Sequence, residues 1–106
     1  MTLEEVLVRL VEVIHPEQVF LFGSRASGTA GPDSDIDLLV VADLPGTRWE
    51  RTTAVSRALR PRGVSVDLLV YTPEEFSRLA AEPDSFVHRI VATGRLEYDQ
   101  EDRRVA

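Results

Sequence analysis

The sequence predicts a single α/β domain with few strands, and three observations lead there. The chain has 106 residues and 11.8 kDa, the size of one compact domain. Apolar residues recur at helical intervals through Ile14. Short β-branched and apolar runs then alternate with segments that open on capping residues. With 43% hydrophobic and 28% charged residues, the composition is that of a globular domain.

Thr2 and Glu5 have capping-box spacing, and Leu3, Val6, Leu7, Leu10, Val11 and Ile14 follow on one face. A helix is therefore expected from Leu3 to Ile14, ending before His15-Pro16. Val19 to Phe22 reads as a buried strand running into Gly23, and Ser24 to Pro32 as a turn with one helical turn opening at Ser24. Asp35 to Ala42 reads as a second strand. After the Leu44-Pro45-Gly46 loop, a helix is expected from Thr47 to Leu59, closed by Pro61 and Gly63. Val64 to Tyr71 alternates as a third strand. Thr72-Pro73-Glu74-Glu75 opens a helix that breaks at Pro83, and a shorter helix spans Ser85 to Ala92. Arg95 to Tyr98 is expected as an edge strand and Gln100 to Ala106 as a frayed tail.

Composition excludes several chemistries. The chain has no cysteine, so thiol nucleophiles, disulfides and thiolate-bound metals are ruled out. All 12 basic residues are arginines, which removes lysine Schiff bases and lysine-dependent phosphate loops. His15 and His88 are too few for a histidine-built metal site. A net charge of −6 repels polyanions, so nucleic-acid binding by the whole domain is disfavoured. Glu4 and Glu5 stand where a signal peptide carries positive charge, and the longest apolar run, Leu38 to Ala42, is far below membrane-spanning length. A cytoplasmic location without membrane contact is expected.

The chemistry concentrates in Asp35-Ile36-Asp37 and Asp67. Alternation puts Asp35 and Asp37 on one strand face, about 6.6 Å apart at Cα. Such a pair can bridge divalent ions ~3.5–4 Å apart, the arrangement used for in-line phosphoryl displacement. Asp67 is a lone charge inside an apolar run, costly unless paired, solvated or on a metal. Asp35 alone reads equally well as a strand-end cap, and Asp33 and Ser34 as turn residues. Ahead of the pair, Phe22-Gly23-Ser24 ends a strand on a residue that lets backbone approach a ligand, with a hydroxyl and then Arg25 available to phosphate oxygens. Three rival motifs fail. An EF-hand loop starting at Asp33 would need glycine at Leu38 and glutamate at Leu44. A P-loop starting at Gly23 would need lysine and a hydroxyl at Thr29-Ala30. No G-x-G-x-x-G is present.

Gly23-Ser24, then Asp35-Ile36-Asp37, then Asp67 among hydrophobic residues resembles the minimal nucleotidyltransferases of the DNA polymerase β superfamily. Phe22 to Ala26 and Ser34 to Val40 carry most of the likeness, which extends over Val19 to Val70. The resemblance implies a small mixed β-sheet flanked by helices. It implies that Asp35 and Asp37 hold two Mg²⁺ ions, with Mn²⁺ as a substitute, and that Asp67 completes one metal site and helps activate an acceptor hydroxyl. Gly23 and Ser24, with Arg25 beside them, would bind the phosphates of a nucleoside triphosphate such as ATP. Many relatives carry a second arginine where this chain has Ser27.

Little chain follows the third aspartate, and it reads as packed helices without a further acceptor-gripping domain. Stand-alone domains of this kind resemble antitoxins paired with a small helical HEPN toxin, to which they transfer AMP on a tyrosine. The alternative is a non-catalytic antitoxin or regulatory nucleotide-binding module that occludes its partner. Arg48, Arg51, Arg57, Arg60 and Arg62 read as a solvated or partner-facing helix surface rather than a nucleic-acid patch. Trp49 is expected to be partly buried, and both histidines to be structural.

Overall fold

The computed structural model describes residues 2–29, 31, 35–59, 65–101 and 104–105. The turn expected at Asp33 and Ser34, the helix closure at Pro61 and Gly63, the Val64 strand start, and Arg60 and Arg62 lie outside the described residues.

Helix α1, Leu3–Ile14, starts on the expected capping box: Glu5 N–H donates to Thr2 Oγ1 at 3.2 Å and Thr2 N–H to Glu5 Oε1 at 3.0 Å. His15 ends it at φ 49°, and its N–H reaches back to Val11 O. Strand β1, Gln18–Phe22, follows, then a single turn of helix α2, Ser24–Ser27. Strand β2 is Ile36–Val41, helix α3 Arg48–Ala58 and strand β3 Val66–Tyr71. Helix α4 is Pro73–Ala80, helix α5 Phe86–Thr93, and strands β4, Arg95–Asp99, and β5, Arg104–Val105, complete the chain. The same Thr-x-x-Glu box opens α3 from Thr47 and α4 from Thr72, so three helices begin on one chemical device.

The strands form one mixed sheet in the order β3-β2-β1-β4-β5. β2 and β3 run parallel because α3 carries the chain back between them, and the other pairings are antiparallel. Period two sorts the side chains into two cores. On one face Val19, Leu21, Leu38, Val40 and Val70 pack under Leu7 and Leu10 of α1 and Val55 of α3. On the other, Phe20, Leu39, Val41 and Tyr71 meet Phe76 and Leu79 of α4 and Val87 and Ile90 of α5. β2 is therefore covered on both sides, and this explains its unbroken apolar run. His88 Nδ1 lies 2.8 Å from Ala80 O and ties α5 to the end of α4, a structural role as expected.

Several expectations need correction. The tail is not simply frayed: Tyr98 and Asp99 pair with Val105 and Arg104, so β4 is flanked by β1 and β5 rather than standing at the edge. The segment after Asp67 thus contributes strands as well as helices. Trp49 is 75% exposed, because α3 turns the side carrying Arg51 and Val55 onto the sheet and Trp49 projects from the opposite side. Arg51 is the reverse case, a buried arginine on a helix read as solvated. Its guanidinium donates to Gly46 O, Val70 O and the Glu75 carboxylate, which satisfy the charge inside the wall between α3, β3 and α4. No helix among the described residues is long and apolar enough to cross a membrane.

Candidate active site

Three strand ends meet at one end of the sheet. Antiparallel register sets Phe22, the last residue of β1, beside Asp37, and parallel register sets Asp37 beside Asp67. Gly23 leaves β1 at φ 75° and ψ −156°, a conformation that excludes side-chain-bearing residues. A Cβ at Gly23 would overlap Oδ2 of Asp37, so the missing side chain is what lets the backbone lie against that carboxylate. Ser24 and Arg25 start α2 just beyond it, held by Ala26 N–H and Ser27 N–H donating to Gly23 O at 3.2 Å.

Asp37 and Asp67 occupy the face of the sheet that continues into Leu39, Val41, Leu69 and Tyr71, where α4 and α5 pack. The parallel register sets the two residues side by side on that face. The Asp37 carboxyl is pushed above the usual carboxylate range, first by burial, then by the Asp67 charge and hydrogen bond, and last by Asp35. Asp67 itself is exposed, since β3 is the outermost strand, so the burial penalty expected at this position falls on Asp37 instead. Asp35 is exposed and sits one residue before β2, acting on Asp37 by charge rather than contact. Among the described residues no three His, Asp or Glu side chains close around a common point. The structure thus joins Asp37, Asp67 and Gly23, with Ser24 and Arg25 adjoining, and leaves Asp35 at the margin.

A donor set made only of carboxylates suits hard divalent cations such as Mg²⁺ and Mn²⁺. The mutual repulsion of Asp37 and Asp67 is the tension such a cation relieves, so these residues fit the expected group. The rim also includes an apolar side chain: Phe86, first residue of α5, is 48% exposed. Its ring stands edge-on to Phe22 at 5.8 Å, and Phe22 is the register partner of Asp37. Arg89 lies over the same ring at 5.7 Å. Only the antiparallel pairing of β1 with β2 reveals that this aromatic corner borders the carboxylates.

Comparison with known proteins agrees with this fold. A protein from Sulfolobus solfataricus, assigned as a nucleotidyltransferase, is 28% identical with TM-score 0.67, covering 96% of this chain and 81% of that one. A toxin-antitoxin crystallised with AMP-PNP is 28% identical with TM-score 0.56, over 96% of this chain and 78% of its own. A variant of the toxin-antitoxin MntA-HpeT is 27% identical with TM-score 0.56, over 97% and 77% of the two chains. No curated protein matches significantly. The family model described as nucleotidyltransferase domain matches residues 1–105, over the whole of the described sheet and both of its helical layers. The chain belongs to the nucleotidyltransferase domain family.

Proposed function

We propose that this nucleotidyltransferase domain is metal-dependent and transfers AMP from ATP to a hydroxyl of a partner protein, as the antitoxin of a toxin-antitoxin pair with a small helical HEPN-type toxin. The observation that carries the chemistry is the register Asp37 beside Asp67, with Gly23 stripped of its side chain against Asp37. Asp37 would hold the divalent ions together with Asp35 from the margin of the site, and Asp67 would complete one ligand set. Such ions would supply positive charge that offsets the triphosphate and the leaving pyrophosphate. Gly23 backbone, the Ser24 hydroxyl and the Arg25 guanidinium take the β- and γ-phosphates and aim the α-phosphate at the acceptor. Asp67, exposed on the outer strand, accepts the proton of the acceptor hydroxyl. The acceptor oxygen bonds to the α-phosphorus as the bond to the β-phosphate oxygen breaks, and pyrophosphate leaves.

The protein acceptor and the antitoxin role are supported by the toxin-antitoxin neighbours, one of them crystallised with AMP-PNP. The test mixes the protein with ATP, Mg²⁺ and the product of the adjacent reading frame, and weighs the partner by mass spectrometry. An added AMP mass, lost with Asp37→Asn, is expected. An unmodified partner that is still neutralised, with Asp37→Asn equally protective in cells, would replace transfer with occlusion.

A further inference from the structure

β3 is the last strand on its side of the sheet, and among the described residues no strand pairs with its outer edge. Ile36 N–H donates to Ser65 O and Ala42 N–H to Tyr71 O, both at 2.9 Å. Alternation between these points directs the backbone groups of Asp67 and Leu69 toward β2, and those of Val66, Leu68 and Val70 outward. Arg51 Nε, 3.4 Å from Val70 O, covers one outward carbonyl. Val66 and Leu68 remain at the edge, on a strand without the proline, lysine or bulge that usually guards one.

A groove of about 560 Å³ straddles this edge, with the first turns of α3 on one side and α4 on the other. Trp49 stands at its mouth, three-quarters in water. Arg48 lies over the Tyr71 ring at 5.4 Å and donates to its hydroxyl at 3.1 Å, while Arg78 is exposed on the α4 wall. Glu75, the one acid of the lining among the described residues, is already engaged by Arg51 and Thr72 N–H. On a chain of net charge −6, this end of the groove is locally cationic.

We propose that the open edge of β3 receives an extended, acidic segment of the partner protein as an added strand, which brings its acceptor hydroxyl to Asp67. The inference rests on the transfer reading above. Asp67 and Tyr71 share one face of β3, four residues and about 13 Å apart. The incoming strand therefore carries its hydroxyl residue and its acidic residue four positions apart on that face, with the acid at Arg78 and Arg48 and apolar contact on Trp49. A second copy is disfavoured as occupant, because pairing β3 with β3 would cover Asp67 in both chains.

The test uses synthetic β-branched peptides with serine and glutamate four positions apart, in both orders, and controls with lysine for the glutamate. Titration into ¹⁵N-labelled full-length protein should shift the Val66 and Leu68 amides and the Trp49 indole, and slow exchange at those two amides. Arg78→Glu should weaken the glutamate peptide about tenfold and restore binding of the lysine peptide. Trp49→Ala should weaken both, with the Mg²⁺–ATP thermal shift of each variant unchanged. Peptide docking in a protein that shows no Mg²⁺–ATP shift would uphold the edge site while removing the transfer reading. No shift at Val66 and Leu68 with either glutamate peptide would overturn the proposal. So would a concentration-dependent dimer in which these amides are already protected.

Discussion

The α-carbon of Gly23 lies so close to the carboxylate of Asp37 that a methyl group there would overlap Oδ2. Two residues fourteen apart in sequence thus share one small volume, which the β1–β2 register creates by pairing Phe22 with Asp37. The glycine serves the site twice: it takes φ 75° to leave the strand, and it vacates the space that Asp37 uses.

Gly23→Ala should therefore do more than strain a turn. Backbone strain alone is worth roughly 1–3 kcal/mol, and displacement of Asp37 adds to it. Urea unfolding should show at least that loss, and Mg²⁺–ATP should no longer raise the melting temperature. Stability within about 0.5 kcal/mol of wild type, the range of neutral surface changes, would mean that Asp37 does not occupy this space.

Asp37→Asn should stabilise the metal-free protein at neutral pH. The folded Asp37 carboxyl sits above its ordinary value, through burial and then Asp67 and Asp35, so its charged form opposes folding. That opposition is present above the folded pKa and vanishes as pH falls below the unfolded value. The gain from asparagine should accordingly be largest near neutrality and fade on acidification. Melting curves in EDTA across pH check this, and the same variant in Mg²⁺–ATP should lose the stabilisation that wild type gains. A variant that melts below wild type in EDTA at neutral pH would place Asp37 in a supporting hydrogen-bond network.

Arg51→Met should cost about 1–3 kcal/mol in chemical denaturation, because it leaves the carbonyls of Gly46 and Val70 without their donor, while Glu75, partly in water, keeps Thr72 N–H. The Glu75 carboxyl is held below its usual range first by the Thr72 N–H, and further by Arg51 against the opposing effect of burial. Its contribution to stability is present above the unfolded pKa and lost as pH falls through the depressed folded one. Acid unfolding of Arg51→Met should keep the Thr72 share of this dependence, and Glu75→Gln should remove it entirely.

Ser24→Ala should weaken ATP affinity by about tenfold, one hydrogen bond to a charged group, and leave the fold and partner association unchanged. Titration calorimetry in Mg²⁺ decides; equal affinity would make Ser24 a turn residue only.

Local chemistry made much of this molecule legible from its residues. The Thr2–Glu5 box and the Leu3-to-Ile14 periodicity located α1 because a helix is specified by neighbours within one or two turns. Thr72-Pro73 located α4 for the same reason, and β1 and β2 were recognisable as short apolar runs. The candidate site was legible as types and spacing: Gly23-Ser24, Asp35 with Asp37, and Asp67. Its geometry was not, because which carboxylates touch depends on strand order. The parallel β2–β3 register joins Asp37 to Asp67, while Asp35, closer in sequence, stays at the margin.

Tertiary structure alone settled the reversals of burial. Arg51 and Trp49 lie two residues apart on α3, and periodicity cannot say that the arginine is walled in while the indole meets water. That outcome depends on Val70 O and Glu75 arriving from β3 and α4 to satisfy the guanidinium. The pairing of Arg104 and Val105 with β4 likewise needs a distant strand already in place. The sequence by itself determined the helix starts, the strand faces and the residue types of the site. The fold decided which of those residues meet, because contacts across strands obey register and edge position, and neither is written within any local window.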